Sequence, residues 1–183
     1  MSNNILNTII QHKLVEVAAR KKEVSFAQLE AMPRFEQKLV SLKASIQQVD
    51  KKGIIAEFKR QSPSKGIINA QADVETVTTA YEQFGASGIS VLTDQSFFGG
   101  SLADLSIAVE RTIPVLRKEF MVDEFQIVEA KAYGASAILL IAACLTAEQT
   151  KVFATQAKSL GLEVLLELHD ASELDHICDE VDL

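Results

Sequence analysis

From Gly53 onward the chain alternates two hydrophobic rhythms. Short unbroken runs of Val, Ile and Leu read as strands buried on both faces of a parallel sheet. Between them lie stretches whose apolar residues recur every three or four positions, the period of a helix packed on such a sheet. The pattern predicts strands over 54–59, 88–93, 114–118, 137–142 and 162–167. It predicts helices over 74–84, 102–111, 124–133, 147–159 and 172–178. Gly85-Ala86-Ser87-Gly88-Ile89 is echoed by Gly134-Ala135-Ser136-Ala137-Ile138, each with a Gly where a helix stops and a strand soon after. Strand ends after the first recur every roughly 25 residues, the size of a compact βα unit. Five consecutive βα units define an α/β chain.

The first fifty residues follow a different pattern. Leu6, Ile9, Ile10, Leu14 and Val17 recur at helical spacing, predicting a helix over about 3–22 with Asn3 or Asn4 as its N-cap. Arg20, Lys21 and Lys22 suit the negative end of its dipole. Ser25 predicts the cap of a short helix stopped by Pro33, and a third short helix is expected over 41–48. Residues 1–52 thus read as a helical extension, and residues 53–183 as the main body. No candidate chemistry stands out in the extension.

A flat doubly wound sheet and a (β/α)₈ barrel both accommodate the alternation. Even spacing, and charged residues at several successive strand ends, favour the barrel, which builds its sites from those ends. No glycine-rich dinucleotide fingerprint follows the first strand. A barrel needs eight strands, whereas only five are evident, with Val181-Asp182-Leu183 reading as the opening of a sixth. Three further units would need roughly 75 residues. The expectation is a partial barrel, truncated or a fragment, whose open sheet edges invite self-association.

Composition narrows the function classes. Of 183 residues 48% are hydrophobic, enough for a real core, and the net charge of −7 argues against a nucleic-acid partner. Cys144 and Cys178 sit among apolar residues and read as buried free thiols. His12, His169 and His176 show no metal-ligand spacing. No apolar run is long enough for a membrane span, and the N-terminus does not read as a signal peptide, so a cytoplasmic protein with no membrane partner is expected.

The candidate chemistry centres on Ile54-Ile55-Ala56-Glu57-Phe58-Lys59-Arg60-Gln61-Ser62-Pro63-Ser64-Lys65-Gly66. Residues i and i+2 of a strand face the same way, so Glu57 and Lys59 share a face at the strand's C-terminal end. The loop that follows offers hydroxyls, N–H groups and positive charge to an anion. The structural alternative is a plain surface ion pair. Lys118 ends another apolar strand beside an aromatic residue, where desolvation would suit a general acid, and the alternative is a snorkelling lysine. Glu167 ends Val164-Leu165-Leu166, where burial would raise it towards a useful base, and the alternative is a Glu satisfied by a neighbouring Lys. Phe97 and Phe98 could wall a pocket for a planar ring or pack against the next loop.

Five segments in order carry a resemblance: Ile-Ile-Ala-Glu-Phe-Lys-Arg with its Ser-Pro-Ser loop, Ser-Val-Leu-Thr-Asp leading to Phe-Phe-Gly-Gly-Ser, Leu-Arg-Lys-Glu-Phe-Met-Val-Asp, Ala-Ile-Leu-Leu-Ile and Leu-Leu-Glu-Leu-His-Asp. The chain resembles the indole-3-glycerol phosphate synthases of tryptophan biosynthesis, (β/α)₈ barrels with an N-terminal helical extension. The resemblance implies ring closure of 1-(2-carboxyphenylamino)-1-deoxyribulose 5-phosphate, with loss of carbon dioxide and water and without metal or organic cofactor. By motif, Lys118 corresponds to the general acid, Lys59 to the lysine that holds anionic groups of the substrate, Glu167 to the catalytic glutamate, and Glu57 to the glutamate that orients the lysines. Phe98, Phe120 and Leu139 correspond to the lining of the anthranilate pocket, and Ser62 to the loop near the anionic end. The family's Asn-Arg motif after strand six and the phosphate-gripping loops after strands seven and eight have no counterpart, so weak binding and slow turnover are expected. Two other readings stand beside this one: a different sugar-phosphate barrel enzyme, and a non-catalytic half-barrel assembly module.

Overall fold

In a computed structural model, described for residues 2–183 with side chains from residue 5 onward, five strands form one fully parallel sheet. They are β1 (Ile55–Phe58), β4 (Gly88–Leu92), β5 (Val115–Lys118), β6 (Ala137–Ile141) and β7 (Glu163–Glu167), adjacent in that order. The helices between them are α4 (Val74–Gln83), α6 (Leu102–Ala108), α7 (Glu124–Ala132) and α8 (Ala147–Ser159). Asp182 and Leu183 N–H groups donate to Val164 O at 3.0 and 3.2 Å, and Leu183 O accepts from Leu166 N at 3.0 Å. The chain's last residues therefore run beside β7, where the opening of a sixth strand is expected.

Strand alternation sorts the side chains into two layers. Ile89, Val91, Val115, Ile138, Leu140 and Val164 pack towards the helices in the main core. Leu116, Ala137, Leu139 and Ile141 face the other way, into the concave interior. Fully burying such a side chain is worth about 2 kcal/mol, so either layer alone outweighs any surface ion pair.

The starts and stops of the helices are written in the sequence. Asp73 caps α4, Ser101 caps α6, and Asp123 and Thr146 form capping boxes with Gln126 and Gln149 on α7 and α8. Gly85 and Gly134 sit at φ 82° and 85°, where a side chain is strained. Each lets the chain turn straight into a strand: Ser87 N donates to Ile54 O and Ser136 N to Val115 O, both at 2.8 Å.

Four features depart from the pattern-based expectation. Residues 171–176 form a 3-10 helix rather than an α-helix, because Leu174 and Ile177 are exposed and supply no apolar stripe. The loop after β1 closes on itself as a hairpin of β2 (Gln61–Ser62) and β3 (Gly66–Ile67). A four-residue helix α5 (Gln95–Phe98) follows β4, capped by Asp94. Cys144 and Cys178 are free thiols, but half-buried rather than buried.

The N-terminal helices are α1 (Ser2–Glu23), α2 (Phe26–Glu30) and α3 (Leu42–Ile46). The proposed cap residues Asn3 and Asn4 lie outside the described side chains. Ser25 forms a capping box with Gln28 at the start of α2, which packs against α7 through Leu29, Phe125 and Val128. At the opposite end of the sheet from the site, Glu163 accepts from Leu42 N at 2.6 Å and Lys43 N at 3.0 Å, fixing α3 there. The buried stripe of α1 is Ile9, Lys13 and Val17, whereas Leu14 is exposed. A lysine thus occupies the position expected of an apolar residue. Among the described residues no helix is long and apolar enough to cross a membrane.

Gly100 offers a direct test of the turn after α5. A Cβ there would lie 2.0 Å from Leu92 O and 2.5 Å from Leu92 C, both backbone atoms that cannot swing away. Gly100→Ala is expected to destabilise the fold by about 3 kcal/mol, read as a lower urea midpoint. An unchanged midpoint would contradict this packing.

Candidate active site

All five strands of the parallel sheet end at one rim, which gathers side chains distant in sequence. Glu57, near the end of β1, bridges two lysines. Its Oε1 accepts from Lys59 Nζ at 2.5 Å, and its Oε2 lies 3.3 Å from Lys118 Nζ at the end of β5. Lys118 Nζ is also 3.9 Å from Glu167 Oε2 at the end of β7. His169 Nε2 stands 3.4 Å from the other Glu167 oxygen. Two carboxylates and two ammonium groups from three strands thus form one connected array. The Lys118 side chain is 34% exposed, so it is open to the mouth rather than desolvated as the strand-end position suggests.

A small cleft opens beside the array, lined by Glu57, Lys59, Lys118 and Glu119 and by Leu92, Phe98, Phe120, Leu139 and Ile141. One wall is charged and the other apolar. The Phe98 and Phe120 rings lie 6.0 Å apart, tilted by 39°, and Leu139 forms the floor at 1% exposure. Phe97 turns away to meet His12 edge-on at 5.5 Å, so of the two consecutive phenylalanines only Phe98 reaches the cavity. Ser62 stands apart, in the hairpin after β1, where its hydroxyl accepts from Lys65 N at 3.2 Å. Glu167 does not line the cavity and reaches it through Lys118.

The loop between β1 and α4 is anchored at its base. Arg60 grips Asp104 with two hydrogen bonds of 2.7 and 2.9 Å, and its guanidinium lies 4.8 Å from the Phe58 ring centroid. Such a planar fork holds direction as well as charge. It fixes the backbone immediately after Lys59.

Leu92, Glu119 and Ile141 line the cavity and are absent from the sequence reading. For Ile141 the signal was available, since it lies two residues beyond Leu139 on the same strand face. For Leu92 the signal is the pairing that sets it beside Lys118 in the register of β4 and β5. Glu119 follows the strand and turns inward, so alternation does not place it. Its carboxyl is nearly enclosed, and burial pushes its pKa up despite the charges of Lys13 and Arg117.

Burial also pushes the Glu57 carboxyl up, but the hydrogen bond from Lys59 and the charge of Lys118 outweigh it, leaving Glu57 below the usual carboxylate value. The chemical capacity of the rim is therefore an ionised carboxylate and adjacent ammonium groups, facing an apolar wall of aromatic and aliphatic side chains.

A parallel sheet of βα units with charged side chains gathered at its C-terminal rim points to the (β/α)-barrel class rather than a dinucleotide-binding fold. The comparisons are specific. The family model described as indole-3-glycerol phosphate synthase matches residues 6–182. The Bacteroides thetaiotaomicron protein named indole-3-glycerol phosphate synthase is 45% identical over 181 residues, covering 98% of this chain and 69% of the relative. The Neisseria meningitidis serogroup C protein of that name is 44% identical, covering 94% of this chain and 68% of its own length. The Leptospira interrogans protein of that name is 55% identical over 121 residues, 66% of this chain and 48% of that protein. The chain belongs to the indole-3-glycerol phosphate synthase family, barrel lyases of tryptophan biosynthesis.

The depressed Glu57 value has a signed consequence. A carboxyl whose folded pKa lies below its unfolded value contributes stability above the unfolded pKa and loses it as pH falls through the folded one. Lys118→Met is expected to raise the Glu57 midpoint in a carboxyl-carbon NMR titration, towards the ordinary value of 4.5. A midpoint that does not move would show that Lys118 contributes nothing to holding the charge.

Proposed function

We propose that this chain carries the ring-closing site for 1-(2-carboxyphenylamino)-1-deoxyribulose 5-phosphate, releasing carbon dioxide and water to give indole-3-glycerol phosphate. The observation that carries the reading is the bridging of Lys59 and Lys118 by Glu57 beside the Phe98–Phe120–Leu139 slot. The slot suits the planar anthranilate ring, and the lysines suit the substrate's carboxylate and phosphate. Lys118 donates the proton to the ribulose carbonyl as the ring carbon attacks. Lys59 holds an anionic group and assists dehydration. Glu57 holds both ammonium groups in place. Loss of carbon dioxide restores the aromatic ring without releasing a proton, and Glu167, within reach of Lys118, takes or relays the proton lost with the hydroxyl as water leaves. Acid and base coexist here because a carboxylate and an ammonium stabilise one another's charged forms. Ser62, in the hairpin that follows β1, is assigned to the anionic end of the substrate.

The test is turnover of the carboxyphenylamino-deoxyribulose phosphate by the 183-residue chain, followed by fluorescence of the indole product. The rate is expected to fall below that of the longer Bacteroides relative. Lys118→Ala is expected to lower it by a further factor of about 100 or more, the scale of losing a general acid. Product formation indifferent to Lys118→Ala would overturn the assignment. If the chain's turnover is too slow to follow, substrate binding decides. Binding should quench the carboxyphenylamino fluorescence and weaken in both Lys118→Ala and Phe98→Ala; binding that ignores both substitutions overturns the site.

A further inference from the structure

The least expected residue in the structure is Lys13, on the buried stripe of α1. Its side chain is 1% exposed, and it contacts two carboxylates that are themselves enclosed: Asp94 Oδ2 at 2.9 Å and Glu119 Oε1 at 3.2 Å. A third contact, Glu16 Oε1 at 3.0 Å, lies towards solvent on the same helix. Burial pulls the ammonium pKa down, but Glu119 and Asp94 outweigh it and hold Lys13 charged.

Each buried carboxylate has a second task. Asp94 Oδ1 accepts from Phe97 N at 2.7 Å and Phe98 N at 3.2 Å, capping the short helix that presents Phe98 to the cavity. Glu119 Oε1 accepts from Phe120 N at 2.9 Å, and Glu119 Oε2 accepts from Thr93 Oγ1 at 2.8 Å. One ammonium from the N-terminal helix therefore ties together the two loops that carry the aromatic walls. Arg117 extends the tie from below, donating to Thr93 Oγ1 at 3.2 Å, to Gln126 O at 2.9 Å and to Glu129 Oε2 at 2.9 Å. Glu129 Oε1 in turn accepts from Arg20 Nε of α1 at 3.0 Å.

We propose that Lys13 is a positioning residue for the aromatic slot: by holding Asp94 and Glu119 together it sets the separation of Phe98 and Phe120, and so the fit of the substrate's aryl ring. This rests on the reading that the slot receives that ring. Lys13 touches neither the slot nor the Lys118 array, and it acts only through the two carboxylates. The interaction also gives α1 a reason to be part of the site, although none of its described side chains lines the cavity.

The test separates positioning from general stability and needs no turnover. The chain is labelled with 4-fluorophenylalanine at its nine phenylalanines, and the Phe98, Phe120, Phe58 and Phe153 fluorine resonances are assigned by single Phe→Leu substitutions. Lys13→Met is expected to shift or broaden the Phe98 and Phe120 resonances together, leaving Phe58 and Phe153 of the main core in place. Asp94→Asn is expected to move Phe98 more than Phe120, and Glu119→Gln the reverse. Should Lys13→Met fail to fold, that crossed pattern decides alone. Resonances of Phe98 and Phe120 that stay put, or four resonances that move alike, would overturn the proposal. In the turnover assay Lys13→Met is expected to raise KM roughly tenfold with a smaller change in kcat, since binding rather than proton transfer is disturbed. A fluorine pattern as expected, with substrate binding indifferent to both Lys118→Ala and Phe98→Ala, would sink the functional reading and leave the positioning role standing.

Discussion

Three consecutive charged residues, Arg117-Lys118-Glu119, divide between two ion networks, and the site depends on that division. Strand alternation sends Arg117 into the helix layer, where Glu129 neutralises it, and sends Lys118 to the concave rim, where Glu57 and Glu167 meet it. Glu119 lies beyond the strand and turns to the buried Lys13. The first and third pairs are enclosed, so losing one partner would strand a charge at a cost of about 3–5 kcal/mol. The Lys118 contacts are about a third exposed and contribute little to folding. The strand is anchored by its structural charges on either side, and the one between them is left accessible for chemistry.

That division explains which parts of the site could be read from sequence. Glu57 and Lys59 were legible because spacing by two within one strand needs no knowledge of the rest of the fold. Lys118, Glu167 and Leu139 were legible through family motifs and the shared polarity of parallel strands. Lys13 was not. A lysine in an amphipathic helix is ordinarily solvated, and the carboxylates that bury it come from two loops far along the chain. Leu14, apolar and at plausible helical spacing, drew the predicted face one position away, although it is exposed. The misplaced face hid Lys13, the residue that proved most informative.

Phe97 and Phe98 show the same limit on a smaller scale. Hydrophobic patterning offered no reason to separate them, and only the family motif singled out Phe98. The structure does so with a helix too short to leave a periodic trace, capped by Asp94 and closed by Gly99 in the left-handed region. One turn is enough to send Phe97 to His12 and Phe98 to Phe120. Helix boundaries, by contrast, were visible wherever a capping side chain met an apolar stripe, as at Asp123 and Thr146. The 3-10 turn at 171–176 had a cap in Asp170 but no stripe, and the α-helix expected there is absent.

On the proposed ring-closing reading, the geometry also bears on how the two lysines would divide the work. Lys59 sits at 2.5 Å from Glu57, a tight charge-assisted hydrogen bond, whereas Lys118 is shared more loosely between Glu57 and Glu167 at 3.3 and 3.9 Å. A proton held in a short, single contact is poorly placed to leave. An ammonium held loosely between two carboxylates keeps an N–H direction to offer a carbonyl oxygen. The looser lysine is also the one whose strand continues directly into Glu119 and Phe120. These features favour Lys118 as the donor and Lys59 as the electrostatic holder, with Glu57 keeping the second in place so that the first stays available.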